Sequence, residues 1–277
     1  LKRFSEADLI VQSDGSVYHL GLKPGELPET VITVGDPDRV ETVSAFFDEV
    51  LIIKQSREFL THIGTYQRIP IAVISTGMGT DNIDILMTEM DALWNIDLSS
   101  RTELEKKHSA RIIRVGTTGS IHPDVEVGTI GFTQHALGFD HLWPYYKVVT
   151  HRLHDYLPEA AVFSPGNDLS LIASRYMAPF VTATMPGFYG PQGREIRIPS
   201  VPVVDYLREV RWKGQSVTNM EMETSGIYGL GGLLGHETLS VNAVLANRIN
   251  GTFTDNSEDI VQRAIELTFK LITHEVD

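Results

Sequence analysis

Short apolar runs alternate along this chain with segments in which apolar side chains recur every three or four residues. The first kind predicts buried strands and the second amphipathic helices. Strands are expected at 31–35, 50–55, 58–67, 69–77, 111–116, 127–137, 180–185, 216–221 and 238–249. Helices are expected at 37–49, with Pro37 near the first turn, and at 81–95, 167–178 behind an Asn cap, 202–213, 223–235 and 257–275. The polar run 97–111 reads as a helix capped by serines, an excursion within a domain. Residues 116–119 read as a turn of two threonines between two glycines, and 186–199 as a Gly/Pro-rich loop.

Strands separated by helices define an α/β protein. The strands that follow one another across 50–77 make its sheet mixed. With no low-complexity linker, the expectation is a single domain over 1–277. Ligands in such folds gather at strand carboxyl ends, where Gly35, Gly77, Gly116 and Arg248 are expected.

Composition narrows the classes. Of 277 residues, 42% are hydrophobic and 21% charged, as in an ordinary globular chain. The net charge of -13 argues against a general nucleic-acid binder, which needs a basic face. An acidic protein that takes an anion must gather cations locally, so arginines in special surroundings gain weight. The absence of cysteine excludes disulfides and thiolate metal sites. No signal-peptide core and no membrane-length apolar window is present, and a cytoplasmic soluble protein without a membrane partner is expected.

Three segments carry candidate chemistry: 34-VGDPDR-39, 111-RIIRVGTTGS-120 and 219-NMEMETSG-226. In the first, Gly35 at a strand end precedes a helix whose N–H groups and dipole suit an anion, with Arg39 at hand. The bland alternative pairs Arg39 with Asp36 or Asp38. Arg114 stands in an apolar strand, where a charge needs a partner. That partner is either a structural carboxylate or a bound anion, and Thr117, Thr118 and Gly119 follow it. Glu221 and Glu223 flank Met222. Two carboxylates so spaced bind a metal, act as acid and base, or grip hydroxyls; alternatively, one forms a buried salt bridge and the other caps a helix. The loop holding Phe188, Tyr189, Gln192 and Arg194 reads as a lid over a ligand, against a plain surface loop.

Other signals are weaker. The stretch 77-GMGTDN-82 opens like a dinucleotide fingerprint, but Asn82 replaces its third Gly. His151 and His154 are spaced to share a helix face, and Ser120 lacks a nucleophile elbow.

In order and combination these segments resemble the nucleoside phosphorylase family, and within it the uridine phosphorylases, over most of the chain from 18-YHLGL-22 onward. The resemblance implies a central mixed, twisted, partly barrel-like sheet flanked by helices. It implies phosphate held by Gly35, Arg39, Arg114 and Thr117, with Arg57 reaching a neighbouring subunit's site. Glu223, Met222 and a neighbour's His19 would hold the ribose. Gly119, Phe188, Gln192, Arg194, Glu221 and Arg248 would surround the base. Arg114, Thr117, Glu223 and Arg194 would carry the catalysis.

Arg248 stands where purine-specific relatives use an aspartate, which favours a pyrimidine. The family's bacterial uridine enzymes hold a monovalent cation near a Glu and a Ser. Glu58 matches the Glu but Asn82 replaces the Ser, so no metal is expected. The stretch 182-TATMPG-187 departs from the family's polar run, which leaves room for a broader base range. The expected reaction is reversible phosphorolysis of uridine in nucleoside catabolism and salvage, with phosphate as co-substrate, no cofactor, and a homo-oligomer of two to six copies. A phosphorylase of broader or purine specificity, a hydrolytic nucleosidase and a non-catalytic nucleoside-binding protein are the alternatives.

Overall fold

The computed structural model describes residues 1–273. Their contacts divide them into two compact units. The first comprises Leu1–Met78, Asn82–Ile113 and Leu230–Glu237; the second comprises Gly79–Asp81, Arg114–Gly229 and the chain from Thr238 onward.

The first unit contains β1 (Thr30–Val34), α1 (Asp38–Ser44), β2 (Glu49–Ser56), β3 (Phe59–Tyr66), β4 (Ile69–Ser75), most of α2 (Thr80–Asn95), β5 (Ile96–Asp97) and β6 (Thr102–Glu103). β1 pairs parallel with β4, and β3 and β2 follow antiparallel, so the sheet is mixed. Ile71 to Ile74 of β4 are fully buried, and α2 buries Ile83, Leu86, Met87 and Met90 at helical spacing. Trp94, near the end of α2, donates its indole N–H to the Leu27 carbonyl at 3.0 Å.

The run 97–111 is not the expected helix. β5 and β6 form a small hairpin. Asp97 accepts hydrogen bonds from the Ser99 backbone and from the Ser99 and Ser100 hydroxyls, and such local bonds favour a turn over a helix. The helix expected over 37–49 likewise stops at Ser44.

The second unit begins within β7 (Arg111–Ser120) and holds β8 (Ile130–Gly138), β9 (Thr150–His151), β10 (Ala160–Phe163), α3 (Asn167–Ala173), β11 (Ala178–Thr184), α4 (Val203–Glu209), β12 (Arg211–Trp212), β13 (Gln215–Ser216), β14 (Asn219–Glu221), α5 (Thr224–Leu234, through Gly229), β15 (Glu237–Asn247, from Thr238), β16 (Thr252–Phe253) and α6 (Ser257–Thr273). Neighbouring strands run β15, β8, β11, β14, β7, and a further pairing of β7 with β15 closes them into a five-stranded barrel. β11 lies parallel to β8 and β14, while β14 and β7 are antiparallel. α5 lies close to the aromatic core because Gly229 has no side chain: a β-carbon there would overlap the Trp143 ring. α6 buries Ile260, Ala264, Ile265, Phe269 and Ile272 along one face.

Several expectations change here. The expected turn at 116–119 is strand, because β7 continues to Ser120 and Gly116 is mid-strand. Its threonines and glycines are compatible with extended backbone once β14 pairs with its end at Ser120 and Gly119. The helix expected over 202–213 ends at Glu209 and gives way to the β12–β13 hairpin. The strand expected at 216–221 is broken between Ser216 and Asn219. The helix expected over 167–178 ends at Ala173, and Gly166, not an Asn, precedes it as the cap. His151 lies in β9 and His154 in a turn, so they share no helix face. The end of the helix expected to reach 275 lies outside the described residues. Among the described residues, no helix is long and apolar enough to cross a membrane.

Candidate active site

Arg114 projects from β7 with 6% of its surface exposed. Its Nη2 lies 2.6 Å from Glu223 Oε2 and 3.3 Å from Glu221 Oε2, and its Nη1 donates to Asn242 Oδ1 at 3.0 Å and Ser240 Oγ at 3.3 Å. The structural-carboxylate alternative for Arg114 is therefore realised, and by both candidate glutamates.

The two glutamates are held differently. Glu221 ends β14 and turns back to receive the N–H groups of Glu223 and Thr224 on Oε2, which caps α5. Its Oε1 accepts the Thr184 hydroxyl at 2.6 Å. Glu223 accepts the Gly79 N–H on Oε1 at 2.8 Å and meets Arg114 with its other oxygen. Two carboxylates share one guanidinium, so only one of them has a full counter-charge when both are ionised. Burial, with Glu221 adding to it, holds the Glu223 carboxyl above its ordinary pKa of 4.5 despite the pull of Arg114. Burial opposes the charge on Arg114, but Glu221 and Glu223 more than offset this and raise its pKa. Met222 lies half-buried between the glutamates.

A second set of groups belongs to the loop after β11. Gln192 closes a single 3-10 turn and is buried, and Gly193 follows in a left-handed conformation. Arg194 donates to the Phe188 carbonyl at 2.7 Å and to Gln192 Oε1 at 2.8 Å, and its guanidinium carbon lies 3.7 Å from the Phe188 ring centroid. Arg248, just past β15, donates to the carbonyls of Gln192 and Gly193. A β-carbon on Gly119 would stand 3.9 Å from both Arg194 Nη2 and Arg248 Cγ, so β7, the loop and the end of β15 converge here. Among the described residues neither arginine forms an ion pair. Burial, with Arg248 beside it, pulls Arg194 down to about 10, and burial lowers Arg248 as well. Thr117, half-buried, lies on β7 three residues after Arg114.

The remaining candidates are in the first unit. Gly35 follows β1 and Arg39 lies in α1. Arg57 is exposed at the β2–β3 turn, with a left-handed φ of 54° and its guanidinium 5.4 Å from the Tyr18 ring centroid. His19 Nδ1 lies 2.6 Å from Glu89 Oε1, and Glu89 also takes the N–H groups of His19 and Leu20. This bonding fixes the ring and turns Nε2 away from Glu89. Glu58 is exposed. Asn82 is close enough to Gly77 that its amide nitrogen would stand 2.6 Å from a β-carbon there. Among the described residues no three or more His, Asp or Glu side chains are grouped to hold a metal ion. Sequence reasoning missed Asn242, Ser240, Thr184 and the Gly79 N–H. The only signal for the first two was a pair of polar residues alternating through the apolar run of β15.

The fold and this cluster place the protein in a known class. The chain belongs to the phosphorylase superfamily, whose family pattern matches residues 29–276. It is 32% identical over 259 residues to uridine phosphorylase of Thermococcus kodakarensis, covering 91% of this chain and 85% of that one. It is 29% identical to uridine phosphorylase of Escherichia coli, covering 85% and 88% of the two chains. The crystal structure of a Trypanosoma brucei nucleoside phosphorylase, described as showing uridine phosphorylase activity, superposes with a TM-score of 0.86 at 27% identity and covers 96% of this chain and all of that one.

Proposed function

We propose that this protein catalyses the reversible phosphorolysis of uridine to uracil and ribose 1-phosphate. The observation that carries the reading is the buried Arg114–Glu221–Glu223 cluster beside a loop whose Arg194 and its neighbour Arg248 lack carboxylate partners. Glu223 receives the ribose hydroxyls, with Met222 against the sugar. The resemblance to the family assigns phosphate to Gly35, Arg39, Arg114 and Thr117. The N1–C1′ bond breaks with its electron pair leaving on the base, and a phosphate oxygen forms the new bond to C1′. The base departs with negative charge, which Arg194, Arg248 and Gln192 stabilise as preorganised donors and which a proton later neutralises. Positive charge develops on the ribose ring, where ionised Glu223 and the phosphate favour it. Protein groups orient the reactants, and none forms a covalent intermediate. The enzyme acts in the cytoplasm as a homo-oligomer in which Arg57 and His19 serve a neighbour's site.

Uracil release from uridine, followed with and without inorganic phosphate, tests the reading. Strict dependence on phosphate and formation of ribose 1-phosphate are expected. Release in phosphate-free buffer favours hydrolysis, and tight nucleoside binding without release favours a non-catalytic binder. A parallel assay with inosine separates pyrimidine from purine use.

A further inference from the structure

The interior of the barrel is polar, where strands closing on themselves would ordinarily bury apolar side chains. Arg114 on β7 donates to Asn242 Oδ1 on β15, and the Asn242 amide donates to Thr133 Oγ1 on β8 at 2.9 Å. Thr133 Oγ1 lies 2.7 Å from Thr182 Oγ1 on β11. Thr182 donates to Asn219 Oδ1 on β14 at 3.0 Å, and the Asn219 amide donates to Thr118 Oγ1, back on β7, at 2.8 Å. Thr118 donates to the Met220 carbonyl at 2.7 Å. All six side chains are buried, and together they come from every strand of the barrel.

The belt runs in one direction. Thr182 has a single hydroxyl proton, and it goes to Asn219. Thr133 is then the donor to Thr182, and its oxygen is left to accept from Asn242. Each group thus gives its proton away from Arg114 and turns an acceptor toward it, and aligned bonds of this kind strengthen one another. The reverse sense would point the Asn242 NH2 at a guanidinium, donor against donor.

We propose that Asn242 is a positioning residue for phosphorolysis: the belt fixes its amide oxygen toward Arg114 and so sets the angle at which the guanidinium meets phosphate. The inference rests on the reading that Arg114 orients phosphate. Asn242 touches neither reactant and acts through Arg114. The apolar variant Asn242→Leu loses the acceptor while keeping the branched four-atom skeleton, in a bulkier side chain. Asn242→Asp keeps it, and Thr133 can turn its proton toward the new carboxylate, giving up its bond to Thr182.

Steady-state kinetics with uridine and phosphate test the assignment. Asn242→Leu should raise the phosphate KM about tenfold and leave the uridine KM within about twofold, while Asn242→Asp should return the phosphate KM to within about threefold of wild type. An unchanged phosphate KM in Asn242→Leu, or an equal rise in both KM values, overturns the inference and leaves the functional reading intact. Wild-type enzyme that shows no phosphate-dependent uracil release overturns the functional reading and the inference with it. If Asn242→Leu does not fold, Thr182→Val breaks the belt further from Arg114. A rise of about threefold in phosphate KM is then expected, and no rise overturns the proposal.

Discussion

The guanidinium of Arg114 lies over the α-carbon of Gly116, two residues further along the same face of β7. A β-carbon on Gly116 would overlap Nη1, Nη2 and Cζ. The glycine is therefore part of the seat that lets Arg114 reach Glu223 and Asn242 together. Gly116→Ala should fold but displace the guanidinium, lowering kcat/KM for phosphate by about 10²-fold. Gly119→Ala is the control, because its nearest neighbours would stand at an ordinary 3.9 Å. It should leave the phosphate KM unchanged. A Gly116→Ala enzyme with wild-type phosphate kinetics would show that Arg114 works from some other position.

Glu221 and Glu223 differ in what surrounds them, and their variants should differ accordingly. Glu221 takes two backbone N–H groups at the start of α5, the Thr184 hydroxyl and the Arg114 guanidinium. Its removal breaks a cap and leaves buried donors unpaired. Glu221→Ala should cost about 3–5 kcal/mol of stability, read by urea unfolding. Glu223→Ala loses fewer fixed bonds but also the ribose contact. It should cost less stability while kcat/KM for uridine falls about 10³-fold. If the two variants ranked the other way, the structural and ribose-binding roles would have to be exchanged.

What the chain disclosed before folding followed the range of each interaction. α2 was legible because Ile83, Leu86, Met87 and Met90 repeat at the helical period, a local signal. The excess charge of Arg114 in an apolar strand was equally plain. Its partners Ser240 and Asn242 were not, since they lie 126 and 128 residues away and only barrel closure brings them near. The run 97–111 misled because its serines cap a helix as readily as they satisfy an Asp97 turn. The glycines and threonines of 116–119 suggested a turn, while strand pairing on β14, again non-local, keeps them extended. Spacing left the roles of Glu221 and Glu223 open between metal, acid–base and hydroxyl chemistry. The family resemblance narrowed them, and the structure then located the salt bridge and the cap.

The raised pKa of Glu223 sets an acid limb. Burial favours its neutral form, so the folded protein holds this proton more tightly than the unfolded chain does. Its contribution to stability is therefore greatest below the ordinary 4.5 and declines as pH rises through the elevated folded value. Activity runs the opposite way, because gripping the ribose diol calls for the carboxylate. The profile of kcat/KM for uridine should fall on the acid side with an apparent pKa above 4.5, and Glu223→Gln should abolish that limb from its weak residual activity. Persistence of the same limb in Glu223→Gln would assign it to another group.

Arg248 joins the end of β15 to the loop that carries Gln192 and Arg194. Its Nη1 and Nη2 hold the carbonyls of Gln192 and Gly193 at 3.0 Å and 3.1 Å, while its own N–H donates to Ser120 of β7. It is thus both a positive charge near the departing base and the anchor of the loop. The two contributions separate in Arg248→Lys and Arg248→Met. Lysine keeps the charge but cannot bridge two carbonyls with a planar fork. Both variants should loosen the loop, seen as faster proteolysis between Phe188 and Arg194, and both should raise the uridine KM several-fold. Only Arg248→Met should also lower kcat, by about tenfold, because only it removes charge that opposes the one growing on the base. Equal kcat in the two variants would confine Arg248 to holding the loop and leave Arg194 as the cation that meets the leaving group.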